Sequence, residues 1–265
     1  MDRRVFLRAA ALAGGAAAGA VAYGGLVEPR RLEVTRHRVA GEGVSDPLTL
    51  VQLSDLHLGR LGAVHEKLTR AVVDADPDLV LLTGDTVEEP RGLGALDELL
   101  GALPGSVPLL AVLGNWEYWG GVEPEALASV LRRRGGRLLV NQTAALSVKG
   151  RELVITGLDD LVAGRPDPSG SPHEPVPGKV RVLLAHCPAQ RDLLEAAPFD
   201  LMLSGHTHGG QVDIAGIRVT PPGSGRYVEG WYREGGPPLY VSRGVGTSFV
   251  PLRIGARPEV AVFQV

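Results

Sequence analysis

Seven residues of the types that hold divalent metal ions lie in five short polar segments of the chain. They are Asp55 and His57 in Asp55-Leu56-His57, Asp85 after Gly84, Asn115 after Gly114, His186, and His206 and His208 in Gly205-His206-Thr207-His208. Three carboxylate or amide oxygens and four imidazoles make a hard-to-borderline ligand set suited to Mn, Fe or Zn. Four of the seven histidines in the chain fall inside these segments, and together the segments read as one site for two ions. An isolated Asp-x-His pair is weak evidence. The His-x-His pair is stronger, because Gly205, Gly209 and Gly210 allow close backbone approach around two imidazoles. Two divalent ions about 4 Å apart polarise phosphoryl oxygens and lower the pKa of a shared water, which gives hydroxide near neutral pH for in-line attack.

Such scattered ligands can meet only if strands deliver them to one place. Leu48 to Leu53 is a buried strand ending at Ser54-Asp55, Leu79 to Leu82 one running into Gly84-Asp85, and Leu109 to Leu113 one ending at Gly114-Asn115. Val180 to Ala185 delivers His186, and Leu201 to Leu203 delivers Gly205-His206. Apolar residues at helical spacing predict helices over Val64 to Asp74 and over Glu123 to Arg134, the second with Pro124 in its first turn. Ala144 to Val148 and Glu152 to Gly157 form a strand pair turned by Lys149-Gly150, and the Pro/Gly/Ser-rich stretch from Ala163 to Gly178 is a surface loop. In α/β sheets, ligand sites gather beyond the carboxyl ends of strands, where loops converge. Early strand-helix-strand units followed mostly by strands predict two packed sheets flanked by helices.

Composition sets outer bounds. A chain of 265 residues, 44% hydrophobic, buries a substantial core in one main domain. The net charge of −3 offers no basic excess, so no specific nucleic-acid binding is indicated. There is one cysteine, Cys187, hence no internal disulfide, and it reads as a small buried packing residue. No Gly-x-x-x-x-Gly-Lys loop and no Gly-x-Ser-x-Gly elbow occurs, which removes the simplest nucleotide-loop and serine-hydrolase readings. Arg3-Arg4 before an Ala/Gly-rich apolar stretch resembles a twin-arginine export signal, with Ala20-Val21-Ala22 as a cleavage site. The alternative is an uncleaved N-terminal anchor. The organisation expected is a signal or anchor over residues 1–26, a connecting segment with an edge strand over 27–47, and the main domain over 48–265.

The ordered set of segments resembles the calcineurin-like metallophosphoesterases, in particular their bacterial exported branch. The likeness runs from about Leu48 to the C-terminus and is carried most specifically by Gly205-His206-Thr207-His208-Gly209-Gly210-Gln211, Ser242-Arg243-Gly244-Val245-Gly246-Thr247-Ser248 and Gly225-Arg226-Tyr227. The resemblance implies an α/β (α+β) four-layer sandwich of two mixed β-sheets flanked by helices. It also implies two divalent metal ions, one held by Asp55, His57 and His208, the other by Asn115, His186 and His206, with Asp85 bridging them. Asp85, Asn115 and His206 then serve catalysis. The activity implied is hydrolysis of a phosphodiester or pyrophosphate bond in a small-molecule or lipid phosphoester. Partners would be the twin-arginine export machinery and a membrane surface, and the location periplasmic or on the outer face of the cytoplasmic membrane.

One position departs from the family. Where the usual segment is Gly-Asn-His followed by an acid, this chain has Gly114-Asn115-Trp116-Glu117. In the family the missing histidine assists the leaving group or stabilises transition-state charge, and an indole does not donate a proton in that sense. General acid help is typically worth ~10²–10⁴-fold in rate. Trp116 therefore implies dependence on good leaving groups, replacement of the histidine by Glu117 or His65, or a weakly active or non-catalytic metal and phosphate binder. Trp116 is also a candidate substrate-binding residue, forming an aromatic wall with Trp119. Arg226 and Arg243 are further candidates, since arginine suits bidentate phosphate recognition. His37, on an alternating strand, and His173, in the Pro/Gly/Ser loop, are expected to face solvent.

Overall fold

The fold is described from a computed structural model, for residues 14–15, 18–39, 46–171, 178–194, 199–214 and 216–265. Arg3 and Arg4 of the export motif and His173 lie outside the described residues. Residues 18–26 are helical, and no helix among the described residues is long and apolar enough to cross a membrane.

Two six-stranded mixed sheets carry the architecture. The first has the order β1-β14-β2-β3-β4-β5, built from Glu33–Arg38 (β1), Glu259–Gln264 (β14), Thr49–Leu53 (β2), Leu79–Thr83 (β3), Leu109–Val112 (β4) and Gly136–Leu138 (β5). β14 is antiparallel to β2, and the remaining pairs are parallel. The second has the order β12-β13-β9-β8-β7-β6, from Gly230–Tyr232 (β12), Leu239–Val241 (β13), Leu201–Ser204 (β9), Lys179–Leu184 (β8), Arg151–Gly157 (β7) and Gln142–Val148 (β6). β13, β9, β8 and β7 run parallel, and the two outer strands are antiparallel to their neighbours. A small hairpin, Asp213–Ile214 (β10) and Ile217–Arg218 (β11), stands apart from both sheets.

Residue alternation within the strands builds the layers. Leu50 of β2, Leu79 and Leu81 of β3, and Leu110 and Val112 of β4 point between the sheets, where they meet Leu153, Ile155, Val182, Leu184, Leu201 and Leu203. The intervening Val51, Leu53, Val80, Leu82, Leu109 and Ala111 face the other way. There they pack under the helices Ala63–Ala75 (α1), Leu93–Gly101 (α2) and Pro124–Arg133 (α4), the short helix Asn115–Trp119 (α3) standing between α2 and α4 in the chain. Burial on both faces explains why these strands read as continuous apolar runs. The outer face of the second sheet is covered by a third cluster, with Leu183, Met202 and Val241 against Tyr227, Leu194 and Phe199. The two mixed sheets with flanking helices bear out the sandwich expected from the sequence.

β1 is an edge strand as expected, but His37 is not a solvent-facing side chain. Its ring stacks on Phe263 and meets Tyr240 and Trp231, and its Nδ1 accepts from Trp231 Nε1 at 3.2 Å. Aromatic residues from β12, β13 and β14 converge on it, and no local sequence pattern reports such a long-range cluster.

Candidate metal centre

The carboxyl ends of β2, β3, β4, β8 and β9 lie together, so the loops carrying Asp55, Asp85, Asn115, His186, His206 and His208 meet across the two sheets. Buried Gln52 ties the ends together by donating to Thr83 Oγ1 and to the Ser204 carbonyl, both at 2.9 Å. The loops close in because glycine precedes three of the candidate ligands, Asp85, Asn115 and His206. A Cβ on Gly114 would stand 2.3 Å from Asp85 Oδ1, and one on Gly205 1.9 Å from Ser54 Oγ. Five of the seven ligand residues, Asp55, His57, Asp85, His206 and His208, are left-handed, with φ between 46° and 74°. Such a conformation in a non-glycine residue costs of order 1–3 kcal/mol and persists only where the surroundings enforce it.

The side chains form two groups that share Asp85. Asp55, His57, Asp85 and His208 offer donor atoms within 4.8 Å of one another, and so do Asp85, His186 and His206. Asp85 Oδ1 accepts the Trp116 backbone N–H at 2.9 Å, which leaves Oδ2 facing both groups, 3.1 Å from His186 Nε2 and 3.7 Å from His57 Nε2. Asp55 is braced by the His206 N–H at 2.9 Å and stands 3.4 Å from His208 Nε2. Asn115 lines the same cavity, and its buried Oδ1 has no hydrogen-bond partner. A buried amide oxygen without a donor is costly until a water or a cation uses it.

The far side of each imidazole selects its tautomer. A carbonyl can only accept, so His186 Nδ1–H donates to Thr83 O at 2.8 Å and presents Nε2 to the site. His206 is reversed: Nε2–H donates to Pro222 O at 2.6 Å and Nδ1 faces inward. His57 Nδ1 stands 3.1 Å from Glu88 Oε1, an acid that sequence reasoning passed over. The inward nitrogens pair closely, His57 with His208 and His186 with His206, each at 3.1 Å. In the His186–His206 pair both outer nitrogens donate to carbonyls, so two lone pairs face each other and require a positive charge between them, from a proton or a metal ion. In the other pair Arg253 Nη2 donates to His208 Nδ1, so neutral His208 carries its proton on Nε2 and donates it to His57 Nε2.

Titration behaviour follows that demand. Burial works against it, yet Asp85 pushes His186 well above its ordinary value, and Glu88 with Asp85 and Asp55 raises His57. Burial lowers His206, helped by His186, and it drives His208 well below the usual range, helped by His57 and Arg253. Asp85 is held at about 2 despite its burial, chiefly by His186 and His57. Deprotonated Asp85 and neutral His206 and His208 are the ligand-competent forms. This donor set fits a pair of divalent ions.

Two supporting residues were not assigned their roles by sequence. Glu117 is fully buried, turned away from the cavity, and accepts from the backbone N–H groups of Asp85 (3.1 Å), Thr86 (2.6 Å) and Gly114 (2.9 Å) and from Thr86 Oγ1 (2.7 Å). It clamps the Asp85 and Asn115 loops, so the expectation that it stands in for a proton donor is corrected. Arg253 is also fully buried, with its guanidinium spread over the carbonyls of Gly246, Ala256 and Arg243 and Nη2 3.2 Å from His208 Nδ1. Burial lowers it to about 10.

The remaining sequence candidates divide sharply. Trp116 lines the cavity, edge-on to His57 and packed on Trp119 and Phe249, which makes the aromatic wall. Arg243 is held by Glu33 (3.0 Å), Glu259 (3.5 Å) and Glu229 (3.9 Å) and does not line the cavity. Three carboxylates claim it, one of them, Glu33, from the opposite end of the chain. Arg226 is exposed and lies over the Tyr227 ring, likewise outside the cavity lining. His65 accepts the Gly62 N–H through Nδ1 at 3.0 Å, closing the first turn of α1, and is not part of the site. Buried Cys187 donates to Asp160 Oδ2 at 3.1 Å and is not among the grouped ligands.

Comparison with known proteins agrees with this geometry. A model of the family described as Calcineurin-like phosphoesterase matches residues 48–210, more than half of the chain. The chain belongs to the calcineurin-like phosphoesterases. It is therefore a metallophosphoesterase, a hydrolase by family. It is 34% identical to the uncharacterized metallophosphoesterase YkuE of Bacillus subtilis (strain 168), over 99% of this chain and 97% of that protein. It is 33% identical to the phosphodiesterase YaeI of Escherichia coli (strain K12), over 100% of this chain and 99% of that one. Among solved structures, the 5'-nucleotidase precursor from Thermus thermophilus shares the fold, with a TM-score of 0.51 at 17% identity. That match covers 82% of this metallophosphoesterase and 54% of the nucleotidase chain.

Proposed function

We propose that this metallophosphoesterase is a two-metal phosphodiesterase acting outside the cytoplasm. Asp55, His57 and His208 would hold one ion, Asn115, His186 and His206 the other, and Asp85 would be shared. The observation that carries the reading is Asp85 Oδ2, which stands within reach of ligands from both groups while Oδ1 is tied back by the Trp116 N–H. Ions bound there supply Lewis-acid activation of a phosphoryl group and of the attacking water. The chain supplies the rest. Thr83 O and Pro222 O fix the rings of His186 and His206, and neutral Asn115 adds an oxygen without adding repulsion toward an anionic ester. Trp116 and Trp119 line one side of the site.

With an indole at position 116, no side chain there protonates a leaving oxygen. Esters with good leaving groups are accordingly the preferred substrates. The name of YaeI as a phosphodiesterase supports this reaction class, and the Arg3-Arg4 motif with its apolar stretch supports export. Trp116 also favours a second reading, a weakly active protein that binds metal and phosphate. The two are separated by hydrolysis of bis(4-nitrophenyl) phosphate with added Mn²⁺, together with metal analysis of the wild type and Asp85→Asn. The proposal expects two ions per chain, loss of activity with chelator, and a fall of at least ~10²-fold in the variant. Two bound ions without turnover would favour the second reading. Activity that resists chelation and survives Asp85→Asn would sink the two-metal mechanism.

A further inference from the structure

The cavity over the metal ligands has a volume of about 720 Å³, and its polarity is lopsided. Asp85, Asn115, His206 and His208 gather polar surface at one end, and Thr207, Gln211, Thr220 and Ser248 are the other polar lining residues. Trp116, Trp119 and Phe249 contribute an aromatic wall, and the hairpin β10–β11 with the residues after it contributes Ile214, Ile217 and Val219. These are not core residues that happen to touch the cavity. Ile214 is 60% exposed, Ile217 75%, Val219 81% and Phe249 77%. A single apolar side chain in solvent is ordinary, but several converging on one trough mark a site that is covered in use.

Two observations identify what covers it. The trough is continuous with the metal ligands, so its occupant presents a phosphoryl group at one end and apolar surface at the other. No lysine or arginine is among the lining residues, so an additional phosphate along the trough would find no cation there. The hairpin is also braced to display its apolar residues, because Arg218 pairs with Asp213 at 2.6 Å and with Glu229 at 2.7 Å. We propose that the trough holds the alkyl or acyl chain of an amphiphilic phosphoester whose single phosphoryl group lies over the metal ligands.

This inference rests on the phosphoesterase reading, so its test is binding rather than turnover. Tryptophan fluorescence of the full Mn²⁺-loaded chain would be titrated with dodecyl phosphate, ethyl phosphate and dodecyltrimethylammonium, all below their micellar range. Each buried methylene is worth about fourfold in affinity, so five of them predict dodecyl phosphate binding on the order of 10³-fold tighter than ethyl phosphate. The double variant Ile217→Ser/Val219→Ser, checked for fold by circular dichroism, should reduce that preference at least tenfold. Affinities of the two phosphates within about threefold would overturn the proposal, as would an undiminished preference in the variant. Equal binding of dodecyltrimethylammonium would also overturn it, by showing a surface indifferent to phosphate. A wild-type dimer in sedimentation that the double variant abolishes would assign the rim to a second copy instead. Failure of the phosphoesterase reading looks different: no ester is hydrolysed whatever its chain length, and the binding comparison still decides the trough.

Discussion

Replacing Glu117 by Gln tests whether the buried carboxylate is a clamp for the metal loops or part of the chemistry. Its Oε1 accepts from Thr86 N at 2.6 Å, Thr86 Oγ1 at 2.7 Å and Val87 N at 3.4 Å, while Oε2 accepts from Asp85 N at 3.1 Å and Gly114 N at 2.9 Å. An amide keeps one acceptor and turns its NH₂ toward the other set of donors. At least two buried N–H groups then lose their partner, at roughly 1–3 kcal/mol each. Relief of repulsion with Asp85, which together with burial raises the Glu117 pKa, offsets part of this. The net loss is about 3 kcal/mol, or a fall in Tm of roughly 6–12 °C in a protein of this size. Urea unfolding of chelated protein measures the loss, and metal analysis after reloading reads the geometry, with fewer than two ions retained. A Tm within about 2 °C of wild type and full metal content would refute the clamp. If stability holds and turnover alone collapses, Glu117 takes part in the reaction.

Trp116→His should restore proton donation, raising hydrolysis of alkyl phosphodiesters by about 10²-fold and of activated aryl diesters much less. A uniform change across both ester types would argue against a leaving-group role. Arg243→Met should leave KM for a phosphodiester within about twofold and cost ~3 kcal/mol of stability, because buried Glu259 loses its cation. A selective rise in KM at unchanged stability would return Arg243 to the substrate site. Burial and then Asp160 raise the Cys187 thiol well above 9, so native protein at pH 8.5 should resist alkylation while urea-unfolded protein reacts. The sign for stability follows: the native state keeps its proton while the unfolded thiol ionises, so the Cys187 contribution is full below about pH 9 and is lost as pH rises through the native value. Comparing the pH dependence of unfolding with that of Cys187→Ala, which should lack this component, checks it.

The parts of the molecule legible in the sequence are those specified by short local patterns. β2, β3, β4, β8 and β9 were visible as apolar runs because both faces of each are buried, and α1 and α4 because one face is not. β13 and β14 escaped notice since Leu239–Val241 is only three residues long and Glu259–Gln264 opens on a buried Glu and ends on an exposed Gln. The polar segments were found from residue type alone. The role of Glu117 is hidden because most of its partners are backbone N–H groups of a loop 30 to 32 residues earlier, which no spacing rule reports. His37 is hidden for the same reason, its partner Trp231 lying 194 positions away, and the environment of Arg243 depends in part on Glu33, 210 positions away. Glu88, three residues from Asp85, carried a findable signal, an acid close enough in sequence to face a ring of the same site.

The left-handed backbone at Asp55, His57, Asp85, His206 and His208 sets stability and function against each other. At these positions the chain carries side chains where glycine would relax it, and the summed penalty is several kcal/mol. Substituting His57 by Gly relieves one such penalty but strips Glu88, Asp85 and Asp55 of the imidazole beside them, so in chelated protein strain relief and lost pairing oppose each other. An ion that binds only the folded arrangement shifts the balance back by mass action. For a chain that holds ions at this centre, metal supply would help set how much folded protein is maintained.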